Sequence, residues 1–152
     1  MQFPCAVDSQ RRLAIPKLWR LDSDTEDTLF YLALGTGPSL EFYEYAEFER
    51  RQLAVQQSLK DDLAYLQATA AAYTTVVTLD KQGRFVIPQP LLDDAEIKSN
   101  VYCVGAYTHG AIFAAEIWEK IRLPKQDVIT YNHKLSPSPT VLETKVLVTE
   151  TQ

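Results

Sequence analysis

The chain is poor in the residues from which most chemical sites are built. Its 152 residues include two cysteines and two histidines. Cys5 and Cys103 stand singly inside apolar stretches, as small buried hydrophobes do, which excludes a disulfide framework and leaves a zinc or redox motif without its ligand spacing. Five glycines are scattered along the sequence and form no Gly-rich phosphate loop. No apolar run approaches the ~18 residues of a membrane span, and the N-terminus lacks the basic-then-apolar order of a signal peptide. A cytoplasmic protein is expected, with no metal or cofactor. Basic residues are also outnumbered, 15 Lys and Arg against 20 Asp and Glu, for a net charge of −5. That opposes the simplest nucleic-acid signature, a basic domain. Any DNA-binding cations must be gathered on one surface and presented several times by an oligomer. The acidic run from Asp22 to Asp27 imitates a calcium loop, but the sixth position is Asp27 where the sharp turn needs Gly, and the twelfth is Ala33 where a bidentate Glu belongs.

What the chain does contain is a turn written twice. In Thr75–Pro88, Val76, Val77 and Leu79 precede Asp80-Lys81-Gln82-Gly83, and Phe85, Val86 and Ile87 follow Arg84. Two β-branched and aromatic runs around such a turn predict a hairpin, with Asp80 accepting backbone N–H groups and Gly83 taking a positive φ. Residues 6–16 (AVDSQRRLAIP) match residues 78–88 (TLDKQGRFVIP) without a gap at an offset of 72, the difference between Asp80 and Asp8. Gln10 answers Gln82, Arg12 answers Arg84, Ile15 answers Ile87 and Pro16 answers Pro88, so one structural unit occurs twice. Arg11 stands where the second copy has Gly83, and its Cβ predicts a first turn that is strained or differently shaped.

Around the two turns the elements follow a common order. Residues 17–21 read as a helical turn or two, 29–34 and 40–43 as strands around Gly35-Thr-Gly-Pro-Ser39. From Tyr45 the period turns helical, with Phe48, Val55, Leu59, Leu63, Leu66 and Ala70 on one face. Ser58, three residues before Asp61, offers an N-cap and predicts a break into two helices. The second half repeats the plan: a helix over 91–97, a strand over 101–107, a turn at His109-Gly110, a strand over 111–114 and a helix over 116–122. The fold class is therefore α+β, βαββα twice. Ser136-Pro-Ser-Pro139 reads as an extended linker, and Thr140–Thr149 has strand composition.

A doubled Asp-x-x-x-Arg turn ending in Ile-Pro, in a chain of about this length, resembles the MraZ family of bacterial transcription factors. The Asn100–Tyr107 stretch (NVYCVGAY) and Ile117-Trp118-Glu119 resemble it as well, and the likeness spans roughly residues 3–121. It implies an AbrB/MraZ-like double-split β-barrel with peripheral helices: a first repeat over residues 1–72, a second over 73–123 and a C-terminal extension over 124–152. It further implies a nucleoid-associated ring oligomer that binds tandem G-rich promoter repeats upstream of the division and cell-wall gene cluster. The residues so implicated in binding double-stranded DNA are Asp8, Gln10, Arg11, Arg12, Asp80, Lys81, Gln82 and Arg84.

The residues themselves leave rival classes open. An Asp–Arg contact across a turn is a common surface ion pair of small energetic value. An enzyme is disfavoured: His109 and His133 have no nucleophile, carboxylate or metal-ligand partner in any motif, and Asp61-Asp62 and Asp93-Asp94 suit helix starts. Neither a small-molecule substrate nor a membrane is expected. An AbrB-like antitoxin, or a protein-interaction scaffold without DNA specificity, is the more serious alternative.

Overall fold

Short strands with one buried face assemble into two antiparallel sheets in the computed structural model, which describes residues 1–21, 24–58, 63–106 and 109–135. The larger sheet has the order β1-β7-β8-β4-β3-β5, with β1 at Gln2–Ala6, β3 at Phe30–Leu34, β4 at Ser39–Glu44, β5 at Thr74–Val77, β7 at Asn100–Ala106 and β8 at His109–Ala114. The smaller joins β2 (Arg12–Ala14) to β6 (Arg84–Val86). Met1–Lys120 forms one compact unit, and the residues from Ile121 onward form a second.

The two arms of each turn do not pair with one another, so the expected hairpins are not hairpins. β5 pairs with β3 and β6 with β2, while β1 pairs with β7. The return strands have three residues each. Each instead meets its counterpart from the other half, where Leu13 faces Phe85 across the ladder. Counting each turn-bearing stretch as one unit, both halves keep the expected order, since β2 leads to a 3-10 turn at Lys17–Trp19 and β6 to helix α3 at Gln89–Asp94. The hairpins β3–β4 and β7–β8 are present, and β4 and β8 join the halves at the middle of the sheet.

The core lies between the sheets. Leu13 and Phe85 from the small sheet meet Phe30, Leu32, Leu40, Phe42, Val101, Cys103 and Ile112 from the large one, with Ile15, Ile87, Leu91, Leu92 and Ile97 closing the ends. Phe42 is the aromatic hub, its ring centroid 4.9 Å from Phe30, 5.3 Å from Phe85 and 6.1 Å from Trp19. Trp19 lies against β8 so closely that a Cβ on Gly110 would stand 2.3 Å from its ring, so the strand needs glycine there. Cys5 and Cys103 are free thiols on neighbouring strands, Cys103 fully buried.

The long helical segment is two helices, α1 (Tyr45–Ser58) and α2 (Leu63–Ala72). Their apolar stripe is not core: Phe48 is half-buried against Tyr31, but Val55, Leu66 and Ala70 are exposed. The sequence placed a turn at His109-Gly110, yet these residues open β8 opposite Ala106 and Gly105. Helix α4 (Ala115–Ile121) closes the first unit. Pro124 does not lead straight into a linker; it starts α5 (Lys125–Leu135), which the sequence reading missed. The Asp61 capping contact, the Ser136–Pro139 linker and the Thr140–Thr149 strand lie outside the described residues. Among the described residues no helix is long and apolar enough to cross a membrane.

Candidate nucleic-acid interface

Both turns are built by one carboxylate. Asp8 Oδ1 accepts the backbone N–H groups of Gln10 (2.9 Å) and Arg12 (2.8 Å), and Oδ2 accepts Arg12 Nε at 2.7 Å. Asp80 repeats the set with Gln82 (2.9 Å), Arg84 (3.0 Å) and Arg84 Nε at 2.9 Å. The backbone closes in the same way each time, Asp8 N–H donating to Arg12 C=O at 3.0 Å and Asp80 N–H to Arg84 C=O at 2.8 Å. Donation from the backbone N–H of Arg12, then from its guanidinium, holds the Asp8 carboxyl below its usual range, and Arg84 does the same for Asp80. Each carboxylate therefore stays ionised and fixes an arginine through Nε, the inner nitrogen of the fork. Among the described residues no protein acceptor takes the outer nitrogens.

The first turn keeps the shape of the second and carries the strain. Arg11 has φ 61° where Gly83 has φ 73°. The same left-handed residue joins the halves, because Ile87 N–H donates to Arg11 C=O (2.8 Å) and Ile15 N–H to Gly83 C=O (3.1 Å).

The ladder then sets the two arginines together. Arg12 pairs with Val86 and Ala14 with Arg84, while Leu13 and Phe85 between them point into the core. Strand alternation puts Arg12, Ala14, Arg84 and Val86 on the outward face. Arg12 and Arg84 are diagonal neighbours there, about 7–8 Å apart. Gln10, Arg11, Lys81 and Gln82 are exposed at the two turn tips. All eight residues singled out in the sequence thus lie on one two-stranded ribbon and its turns. The ladder itself carries no acid; Glu47, Glu49, Asp93, Asp94, Glu116 and Glu119 are on helices.

Two features escaped the sequence. Arg20 crosses the second turn from the first half, its guanidinium against Gly83. Its counterpart at the repeat offset is Leu92, so the repeat gave no signal. The other is a polar cluster where α1 docks on the large sheet. Arg51 donates from Nη1 to Tyr43 Oη at 3.2 Å and brings Nη2 within 3.2 Å of His109 Nδ1. The His109 ring stacks on Tyr43 at 4.8 Å, and Nε2 stands 3.8 Å from Glu41 Oε1. Burial, then Arg51, hold His109 below its ordinary pKa against the opposing pull of Glu41, while burial and the hydrogen bond to Glu41 raise the Tyr43 phenol. No group of three or more His, Cys, Asp or Glu among the described residues is arranged to hold a metal ion.

Known proteins resemble this chain in sequence along most of its length. The family model described as "MraZ protein, putative antitoxin-like" matches residues 70–127, the second turn through the start of α5. A protein of Mycoplasma mobile called "Transcriptional regulator MraZ" is 33% identical over 117 residues, 76% of this chain and 78% of its own length. The chain belongs to the MraZ family. Two further members bearing the same name are similar to it: one from Mesomycoplasma hyopneumoniae strain 7448, 30% identical over 76% of this chain and 75% of its own length, and one from Methylococcus capsulatus, 27% identical over 77% and 79%. The first MraZ-type turn lies outside the stretch matched by the family model, where Arg11 departs from the repeat.

Proposed function

We propose that the chain is a DNA-binding transcriptional regulator, not an enzyme, and that the β2–β6 ribbon is its DNA-reading surface. The observation that carries this is the diagonal pair Arg12 and Arg84, each held through Nε by its own Asp so that the outer fork faces solvent. A two-stranded ribbon fits the major groove of B-DNA, and an arginine fork takes the O6/N7 edge of guanine bidentately. At a diagonal separation of about 7–8 Å and ~3.4 Å per base step, the pair suits guanines roughly two steps apart. Asp8 and Asp80 orient the forks; Arg11, Lys81, Gln10 and Gln82 at the turn tips hold the flanking phosphates. The relatives' shared name supports regulation of transcription, and family membership supports tandem G-rich repeats upstream of the division and cell-wall gene cluster as the target. A homo-oligomeric ring resolves the net charge of −5, because it repeats one small cationic ribbon many times.

Titrating the protein into a labelled duplex from upstream of its own gene tests this by fluorescence anisotropy. Arg12→Ala and Arg84→Ala should each weaken binding by about 1–3 kcal/mol per base-edge contact and relax discrimination against a scrambled duplex. Unchanged affinity for both variants in a folded protein would make the turns structural, and the ribbon would then belong to the protein-binding mode that the family's antitoxin-like description favours.

A further inference from the structure

Arg20 follows the 3-10 turn of the first half, yet its side chain belongs to the turn of the second. A Cβ built on Gly83 would stand 2.5 Å from Arg20 Nη1 and 2.8 Å from Cζ. The guanidinium therefore occupies the space that a side chain at position 83 would fill, and Gly83 is buried although its neighbours Lys81 and Gln82 are exposed. No hydrogen-bond or ion-pair partner holds the Arg20 side chain among the described residues. It borders a groove of about 410 Å³ that Lys17, Lys81, Asp24, Glu26 and Asp80 also line. Asp24 is engaged elsewhere, accepting the Leu21 N–H at 2.7 Å.

The repeat supplies no such arginine to the first turn. Position 92, the counterpart of Arg20 at the offset of 72, is a leucine with 3% exposure inside the core. Arg11 is itself exposed, and the second half meets it at the backbone, where Ile87 N–H donates to Arg11 C=O at 2.8 Å. Two different routes thus bring an arginine to the left-handed position of each turn.

We propose that Arg20, seated on Gly83, is a DNA-backbone contact of the second turn and takes there the part that Arg11 takes in the first. This rests on the turns facing DNA. A planar, permanently charged group beside Arg84 suits a phosphate flanking the guanine that Arg84 reads. The asymmetry of the repeat then follows: a turn that carries its own arginine at the left-handed position needs none from outside, and a turn with glycine there can receive one.

Salt titration of DNA binding tests it, using the upstream duplex, a scrambled duplex of equal length and melting curves to verify the fold. Arg20→Gln should weaken both duplexes several-fold and shrink the slope of log K against log salt by about 0.9 for each phosphate that is no longer neutralised. Arg20→Lys should keep most of the slope; a loss as large as that of the glutamine variant would show that packing rather than charge is at work and overturn the proposal. Gly83→Ala should push Arg20 aside and reproduce the Arg20→Gln loss. The double variant should then bind no more weakly than Gly83→Ala alone, and additive losses would refute the seat on Gly83. If Arg12→Ala and Arg84→Ala weaken binding while Arg20→Gln leaves affinity and slope unchanged, only the role of Arg20 falls. If all three leave binding unchanged, the turns do not face DNA and both readings fall together.

Discussion

A left-handed backbone position costs an L-residue about 1–2 kcal/mol, and the two turns meet that cost differently. Gly83 avoids it; Arg11, at φ 61°, bears it. Gly83→Ala should therefore lower the melting temperature by about 2–8 °C, given ~2–4 °C per kcal/mol for a chain of this size. Arg11→Gly relieves the strain but adds about 0.5–1 kcal/mol of unfolded-state freedom, so its melting temperature should stay near that of the parent. Its DNA binding should become less salt-dependent, because a cation is gone from the first turn tip. Equal destabilisation by the two substitutions, read in one set of melting curves, would contradict this account.

At the scale of elements, α1 is fastened to β4 and β8 by groups that titrate. His109 is held below its ordinary value of 6.5, so the neutral ring is the folded form. Its contribution is complete above pH 6.5 and declines as the pH falls below that, because the unfolded chain then binds the proton more readily. Glu47 is pulled from 4.5 to about 2 by hydrogen bonds from Arg50 and Arg51, so its contribution is complete above pH 4.5 and lost as the pH falls towards 2. Melting temperature should drop in two stages on acidification, and His109→Gln should abolish the first; a flat profile between pH 7 and 5.5 would refute the role given to His109. These elements were partly legible in the sequence. The Asp-x-x-x-Arg repeat located both turns and all eight ribbon residues, because the turn chemistry is local. Partner choice was not legible: Arg-Leu-Ala and Arg-Phe-Val have the same alternation, and a three-residue strand can pair with its own arm or with its twin on pattern alone. Arg20 was invisible because its contact crosses the halves at a position where the repeat is broken, and α5 because Pro124 marks a helix start as readily as a stop.

For the whole molecule, α1 and α2 expose apolar side chains, with Leu53 at 59% and Tyr65 at 76%, and the proposed oligomer would bury them. Mass measurement at micromolar concentration should find multiples of the chain and not the single chain alone. Tandem sites should then bind far more tightly than one site, since each further ribbon engages at a high effective concentration. Equal affinity for a single repeat and a tandem array would remove the multivalent account. The exchange of strands between the halves has a further consequence for how the chain comes into being. β1 awaits β7 and β3 awaits β5, so a ribosome that has delivered only the first half has delivered open strand edges and a half-built core. Folding must be late and dominated by contacts distant in sequence, hence slow. The segment from Tyr45 to Ala72 serves as a tether that makes an otherwise bimolecular encounter intramolecular. Separately expressed pieces ending at Ser58 and beginning at Leu63 should each lack cooperative melting, and mixing them should restore it; a first half that melts cooperatively by itself would show that the interlock is dispensable.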